Sequence, residues 1–144
     1  MAITQALCTS FKTEILDEQH DITSDTFKIA LYTSSAGLDA STTAYSATNE
    51  ISNASGSAYS AGGATLTSAA VDTPGSGTTV TIDFADATWT SASFTANGAL
   101  IYNSSNSNKA VCVLAFGGDF TVTNGTFQIT FPAADASNAL IRLA

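Results

Sequence analysis

The chain has 144 residues, of which 44% are hydrophobic and only 11% charged, and it carries a formal net charge of -8. A single domain of this length buries roughly 70% of the surface its unfolded chain exposes, so no disulfide or metal staple is required. The strong bases Lys12, Lys28, Lys109 and Arg142 are too few and too scattered for nucleic acid or an anionic membrane surface, both of which need clustered cations. Ordinary soluble domains are about 25% charged, so Ser, Thr, Asn and Ala must form most of this surface. Such a skin suits a subunit held within an assembly, or an exterior module that tolerates a neutral polar coat. No run reaches the ~20 apolar residues that cross a bilayer. At the N-terminus, Gln5, Thr9, Ser10, Lys12 and Glu14 interrupt any secretory h-region, so no ordinary signal peptide is expected.

In chain order, residues 4–18 predict a helix. Thr4 suits its N-cap, and Leu7, Cys8, Phe11 and Ile15 fall on one face for docking on a sheet. Glu14, Asp17 and Glu18 sit where the helix dipole favours cations, which predicts early termination. Asp17, Glu18, His20, Asp21 and Asp25 follow. These are ligand types for a divalent cation, but their spacing matches neither an EF-hand loop nor a helical His/Glu face, so the segment reads as a solvated connection with no metal assigned. His20 is the sole histidine, and no GxSxG motif accompanies it.

From Thr26 the apolar period becomes two. Phe27, Ile29 and Leu31 alternate with Lys28, Ala30 and Tyr32, as in a half-buried antiparallel strand. The pattern returns at Val80–Phe84, at Phe127–Phe131 and at Ile141–Leu143, with weaker strands over 64–71 and 88–94. Residues 33–63 are long, polar and rich in Ser, Thr and Ala. They read either as a projecting loop packed on a neighbouring subunit or as a meander with edge strands. Asp72–Gly77 is a tight turn. Trp89 and Phe94 fall on opposite sides of a regular strand, so either one faces a partner or a bend buries both. Asn124-Gly125-Thr126 matches a glycosylation sequon, but Asn-Gly here reads as a hairpin turn.

Gly98–Gly118 is the centre of the pattern. Ala99–Tyr102 and Ala110–Phe116 are apolar at consecutive positions, and Asn103–Asn108 supply a polar turn. Both strands must therefore be covered on both faces. Cys112 reads as a buried thiol and Cys8 likewise, with a disulfide between them left open. The fold class is mainly β: a single β-rich domain over 1–144, an antiparallel β-sandwich of jelly-roll type with one N-terminal helix and about eight strands over 26–143.

Five strings, MAITQALCTSFKTEIL, DTFKIALYTSSAGLDASTTAYSATNE, SAYSAGGATLT, FADATWTSASFTANGALIYNSSNSNKAV and FPAADASNALIRLA, resemble small virion structural proteins of tailed bacteriophages. The most distinctive parts are FKIALYTSSA, GALIYN and NALIRLA, and the resemblance covers nearly the whole chain. It implies a capsid decoration, or cement, protein on the outer capsid surface of the virion, made in the host cytoplasm. Its partner would be the major capsid protein, and it would form a homo-oligomer, with a trimer suggested by local threefold positions. No catalytic residue, cofactor or metal is carried over. Subunit or capsid contact is assigned to Tyr45, Tyr59 and Trp89, with the N-terminal helix and residues 34–63 around them. The alternative is a tail-associated adhesin reading a host surface ligand with those same aromatics clustered with acids at one end of the sandwich. A wall-degrading enzyme would need Asp39 and Glu50 to converge in a cleft.

Overall fold

The computed structural model describes residues 2–144. Its elements run β1 (Ala6–Leu7), α1 (Thr9–Leu16), β2 (Phe27–Tyr32), β3 (Ala64–Thr65), β4 (Ala70–Asp72), β5 (Val80–Asp83), β6 (Ala87–Asn103), β7 (Lys109–Ile129) and β8 (Ile141–Leu143). All pairings between strands are antiparallel, in one sheet of order β1-β7-β6-β2-β3 and a second of order β4-β5-β8. The architecture is the antiparallel sandwich with one helix that the alternation predicts.

The apolar runs of β6 and β7 pair beside the turn, from Asn103 opposite Lys109 to Gly98 opposite Ala115. Ala99–Tyr102 and Ala110–Val113 are buried throughout, so both faces are covered. On one face lie Phe27, Ile29, Leu31 and Ile101. There the rings of Phe11, His20, Phe27, Phe84 and Phe131 follow one another at 5.0 to 6.4 Å, linking α1 and the second sheet to β2. The opposite face carries Ala30, Tyr32, Leu100 and Tyr102, and residues 33–63 lie over it. This second cover buries β2 on both sides, with only Lys28 half-exposed, where alternation predicted one wet face.

Residues 33–63 therefore do not project. Ala36, Leu38, Ile51 and Tyr59 are buried, and the segment is tied down by Ile51 N–H to Leu31 O (3.0 Å), Thr33 N–H to Asn49 O (3.0 Å) and Tyr45 N–H to Asn108 O (2.9 Å). The helix is also shorter than expected, with Cys8 rather than Thr4 at its N-cap. Residues 4–7 are drawn into pairing instead: Leu7 stands opposite Cys112, and Thr4 N–H donates to Leu38 O at 2.8 Å. An open strand edge offers donors and acceptors that outweigh a weak helical preference. Of the predicted stripe, Phe11 is buried, while Leu7 and Ile15 are half-buried.

The segments around 88–94 and 127–129 are not separate short strands but the far halves of β6 and β7. Asn124-Gly125 is likewise no turn. It is a bulge inside β7, with Asn124 at φ 45° and Gly125 opposite Ala92. A second irregularity on β6 places Ser91 at φ 50° and shifts the register between Trp89 and Ala92. The slip returns Phe94 to the side of Trp89, and their rings meet edge-on at 6.2 Å.

Gly63 marks the closest approach of the 33–63 cover to β2. Its φ is +80°, and a Cβ would collide with the Ile29 carbonyl and lie 2.7 Å from Ala30 Cα. Gly63→Ala is expected to cost more than about 3 kcal/mol. Gly117→Ala, also at φ +80° but facing open space, should cost only about 1 to 2 kcal/mol. Urea unfolding midpoints compare the two; equal losses would contradict this packing.

Candidate functional site

The cover segment is pinned by one carboxylate. Tyr59 donates its hydroxyl to Glu50 Oε1 (2.6 Å), Tyr45 donates to Oε2 (2.8 Å), and Gly62 N–H donates to Oε1 (2.7 Å). Tyr59 Oη in turn accepts the Leu31 N–H of β2 at 2.9 Å. Tyr102 donates to Gly62 O (2.6 Å) and stacks on Tyr45 at 4.6 Å, and Tyr32 donates to Ser46 O (2.7 Å). All four tyrosines of the chain thus hold residues 45–62 against the central strands. Burial, reinforced by Glu50, pushes the Tyr45 and Tyr102 hydroxyls up to about 12, and Tyr32 and Tyr59 are raised further by the same causes.

A second polar cluster sits at the turn of the central hairpin. His20 Nε2 lies 2.8 Å from Glu14 Oε2, and Glu14 Oε1 lies 3.2 Å from Lys109 Nζ. Asn103 Oδ1 accepts from Ser105 N–H (3.0 Å) and Asn106 N–H (3.2 Å). Its amide nitrogen therefore donates, to His20 Nδ1 (3.1 Å) and to Asp25 Oδ2 (2.6 Å). Nδ1 is thus the acceptor, and Nε2–H donates to Glu14. The expectation of a solvated connection holds for Asp21, which caps Thr23 and Ser24, but not for His20, which is buried between Phe11 and Phe27. No group of three or more metal-ligating side chains occurs among the described residues.

The third feature is the outer ribbon formed by Ala87–Asn97 and Leu114–Ile129. One face is polar, with cross-strand hydrogen bonds from Gln128 to Thr88 (3.3 Å), from Asn97 to Asp119 (2.8 Å) and between Thr95 and Thr121 (2.7 Å). The other is aromatic. Trp89, Phe94, Phe127, Phe116 and Phe120 touch in succession at 5.0 to 6.2 Å, and Phe120 ends the row 54% exposed. Beside Phe116 a groove of about 750 Å3 opens between β1, β7 and residues 130–144, walled by Leu114, Ile129, Leu140 and Arg142.

Of the residues assigned to subunit or capsid contact, Tyr59 and Trp89 are 4% and 6% exposed, their rings taken up by this chain's own core. Tyr45 is half-buried against Tyr102. Asp39 and Glu50 serve separate structures: Asp39 accepts from the Ser41 hydroxyl (2.5 Å) and then from Ser41 N–H (2.7 Å), which together hold its carboxyl below the usual range, while Glu50 serves the tyrosines. Cys8 and Cys112 are free and buried, with Leu7 rather than Cys8 opposite Cys112. Burial first, then Asp39 and Glu14, raise Cys8 to about 11, and burial raises Cys112 further, so neither is a ready thiolate. Sequence reasoning missed Asn103, a polar residue closing the apolar GALIY run, and Phe116 and Phe120 beside the Gly-Gly bulge. No helix among the described residues is long and apolar enough to cross a membrane.

No family model, curated protein or solved structure matches this chain.

Two outcomes follow from the Glu50 hub. Glu50→Ala leaves buried Tyr59 without its acceptor and should cost about 1 to 3 kcal/mol in chemical denaturation. Tyrosine titrates near 10 in unfolded chains, so folded values raised above that favour the neutral, folded form. That stability is fully present below pH ~10 and is lost as pH rises through about 12. Tyrosinate absorbance should therefore lag a denatured control and appear together with loss of the fold.

Proposed function

We propose that the protein is a virion structural subunit of a tailed bacteriophage, a decoration protein that binds the outer face of the capsid and reinforces contacts between capsomers. The reading starts from the resemblance of the sequence strings. The observation that carries it is Leu16, a leucine 84% exposed at the end of α1, next in the chain to Ile15, which lines a shallow groove with Glu18, Asp21, Ile22 and Val71. An apolar side chain held this far into solvent, on a short helix braced by the Glu14–His20 contact, suits docking on a partner surface. The low charge of the chain supports the same reading, because a neutral polar skin that hydrogen-bonds to a shell avoids the much larger cost of burying unpaired charges. The adhesin alternative draws less support, since the hydroxyls of Tyr45 and Tyr59 are already committed to Glu50. A subunit that binds only the assembled shell stabilises it by mass action.

The test is to add purified protein to heads stripped of it, and in parallel to tails and to host cells. Saturable binding to heads with restored heat resistance, weakened at least tenfold by Leu16→Ser, is the expected result. Binding to tails or cells alone would replace this reading with the adhesin.

A further inference from the structure

The aromatic side of the outer ribbon is an extended apolar face that this chain leaves half-covered along β7. Phe120 stands out from it, and the ring of Phe116, 6.1 Å away and edge-on, forms a wall of the neighbouring groove. A knob and a hollow therefore lie side by side on one surface. That is the arrangement a twofold contact needs, because each copy must offer both at once. We propose that this face is a self-association surface on which two copies pair about a twofold axis, each placing Phe120 in the groove of the other.

Charge and area select the occupant. The chain carries -8 overall, yet residues 114–144 hold only Asp119, which lies on the polar face of the ribbon, Asp135 and Arg142, so the aromatic side and its groove bring one acid and one base. Two copies of an acidic chain approach most readily through a face with no net charge, whereas a basic partner would be drawn to the acidic remainder. The strip from Leu114 to Ile129 is roughly 50 Å long at ~3.3 Å per residue, but only its β7 side, one strand or ~5 Å wide, is open, because Ala87, Trp89, Ala92 and Ala96 of β6 are buried. It offers roughly 250 Å2 per copy before the groove is added, so the pair buries less than about 1,000 Å2, in the range of weak, transient contacts. The pair is accordingly reversible. The bulges at Gly117 and Asn124 keep the β7 edge from pairing as a flat strand, so the contact is made by side chains of the face. This pairing does not depend on the virion reading, and its twofold symmetry departs from the trimer implied by resemblance.

Light scattering and sedimentation over a wide concentration range test it. The mass should rise from 14.6 kDa toward twice that value with concentration. Phe120→Ser should raise the dissociation constant by about thirtyfold or more, as loss of an anchor side chain does. Leu16→Ser, which removes a leucine that is even more exposed but lies outside the patch, should leave it unchanged. Circular dichroism of both variants should match the parent, since neither side chain is in the core. A monomer at every concentration, a trimer, or equal effects of the two substitutions would overturn the proposal.

Discussion

Everything in this fold follows from one constraint: the central strands are apolar on both faces, so the sheet cannot stand with one side in water. Ile29, Leu31 and Ile101 require one cover, and Ala30, Leu100 and Tyr102 require another. The second sheet and α1 supply the first through rings that run from Phe11 to Phe131. Residues 33–63 supply the second without regular secondary structure. That solution carries a cost, because an irregular segment has few backbone partners of its own and must borrow them. Glu50 meets this need by gathering two hydroxyls and the Gly62 amide at one carboxylate, and Tyr59 extends the connection to the backbone of β2.

The far halves of β6 and β7 show what the chain does where the covers end. A two-stranded ribbon is marginal alone, and this one gains support from the cross-strand polar pairs on one face and the packed rings on the other. The bulges at Ser91 and Asn124 keep those two faces distinct, since without them Phe94 would turn to the polar side. The half-covered aromatic end at Phe120 and the exposed Leu16 lie on different elements, β7 and α1.

Much of the fold was legible in the sequence. Consecutive apolar residues in Ala99–Tyr102 and Ala110–Val113 announced strands buried on both sides, and period-two alternation announced β2, β5 and β8. What escaped was decided by long-range partners. Residues 4–7 leave the helix because β7 has an open edge for them, and nothing local signals that edge. Asn-Gly at 124–125 is a hairpin turn by local preference, but the ladder with β6 continues through it. The site was less legible. Tyr45, Tyr59 and Trp89 read as contact residues from the sequence, yet Tyr59 and Trp89 are buried in this chain's own core, because residues 33–63 fold back over the sheet. His20 and Asn103, distant in sequence, meet only because the Ser104–Asn108 turn returns to the end of α1.

Amide hydrogen exchange of the native protein tests the double cover most directly. The account predicts that Ile29–Tyr32, Leu100–Asn103 and Ala110–Val113 exchange slowest, with Thr33, Tyr45, Ile51 and Gly62 protected well beyond the exposed parts of residues 33–63. Exchange at Tyr45, Ile51 and Gly62 as fast as in the exposed turn at Ser104–Asn108, with Glu50 intact, would contradict it, because that face of the sheet would then be open to water.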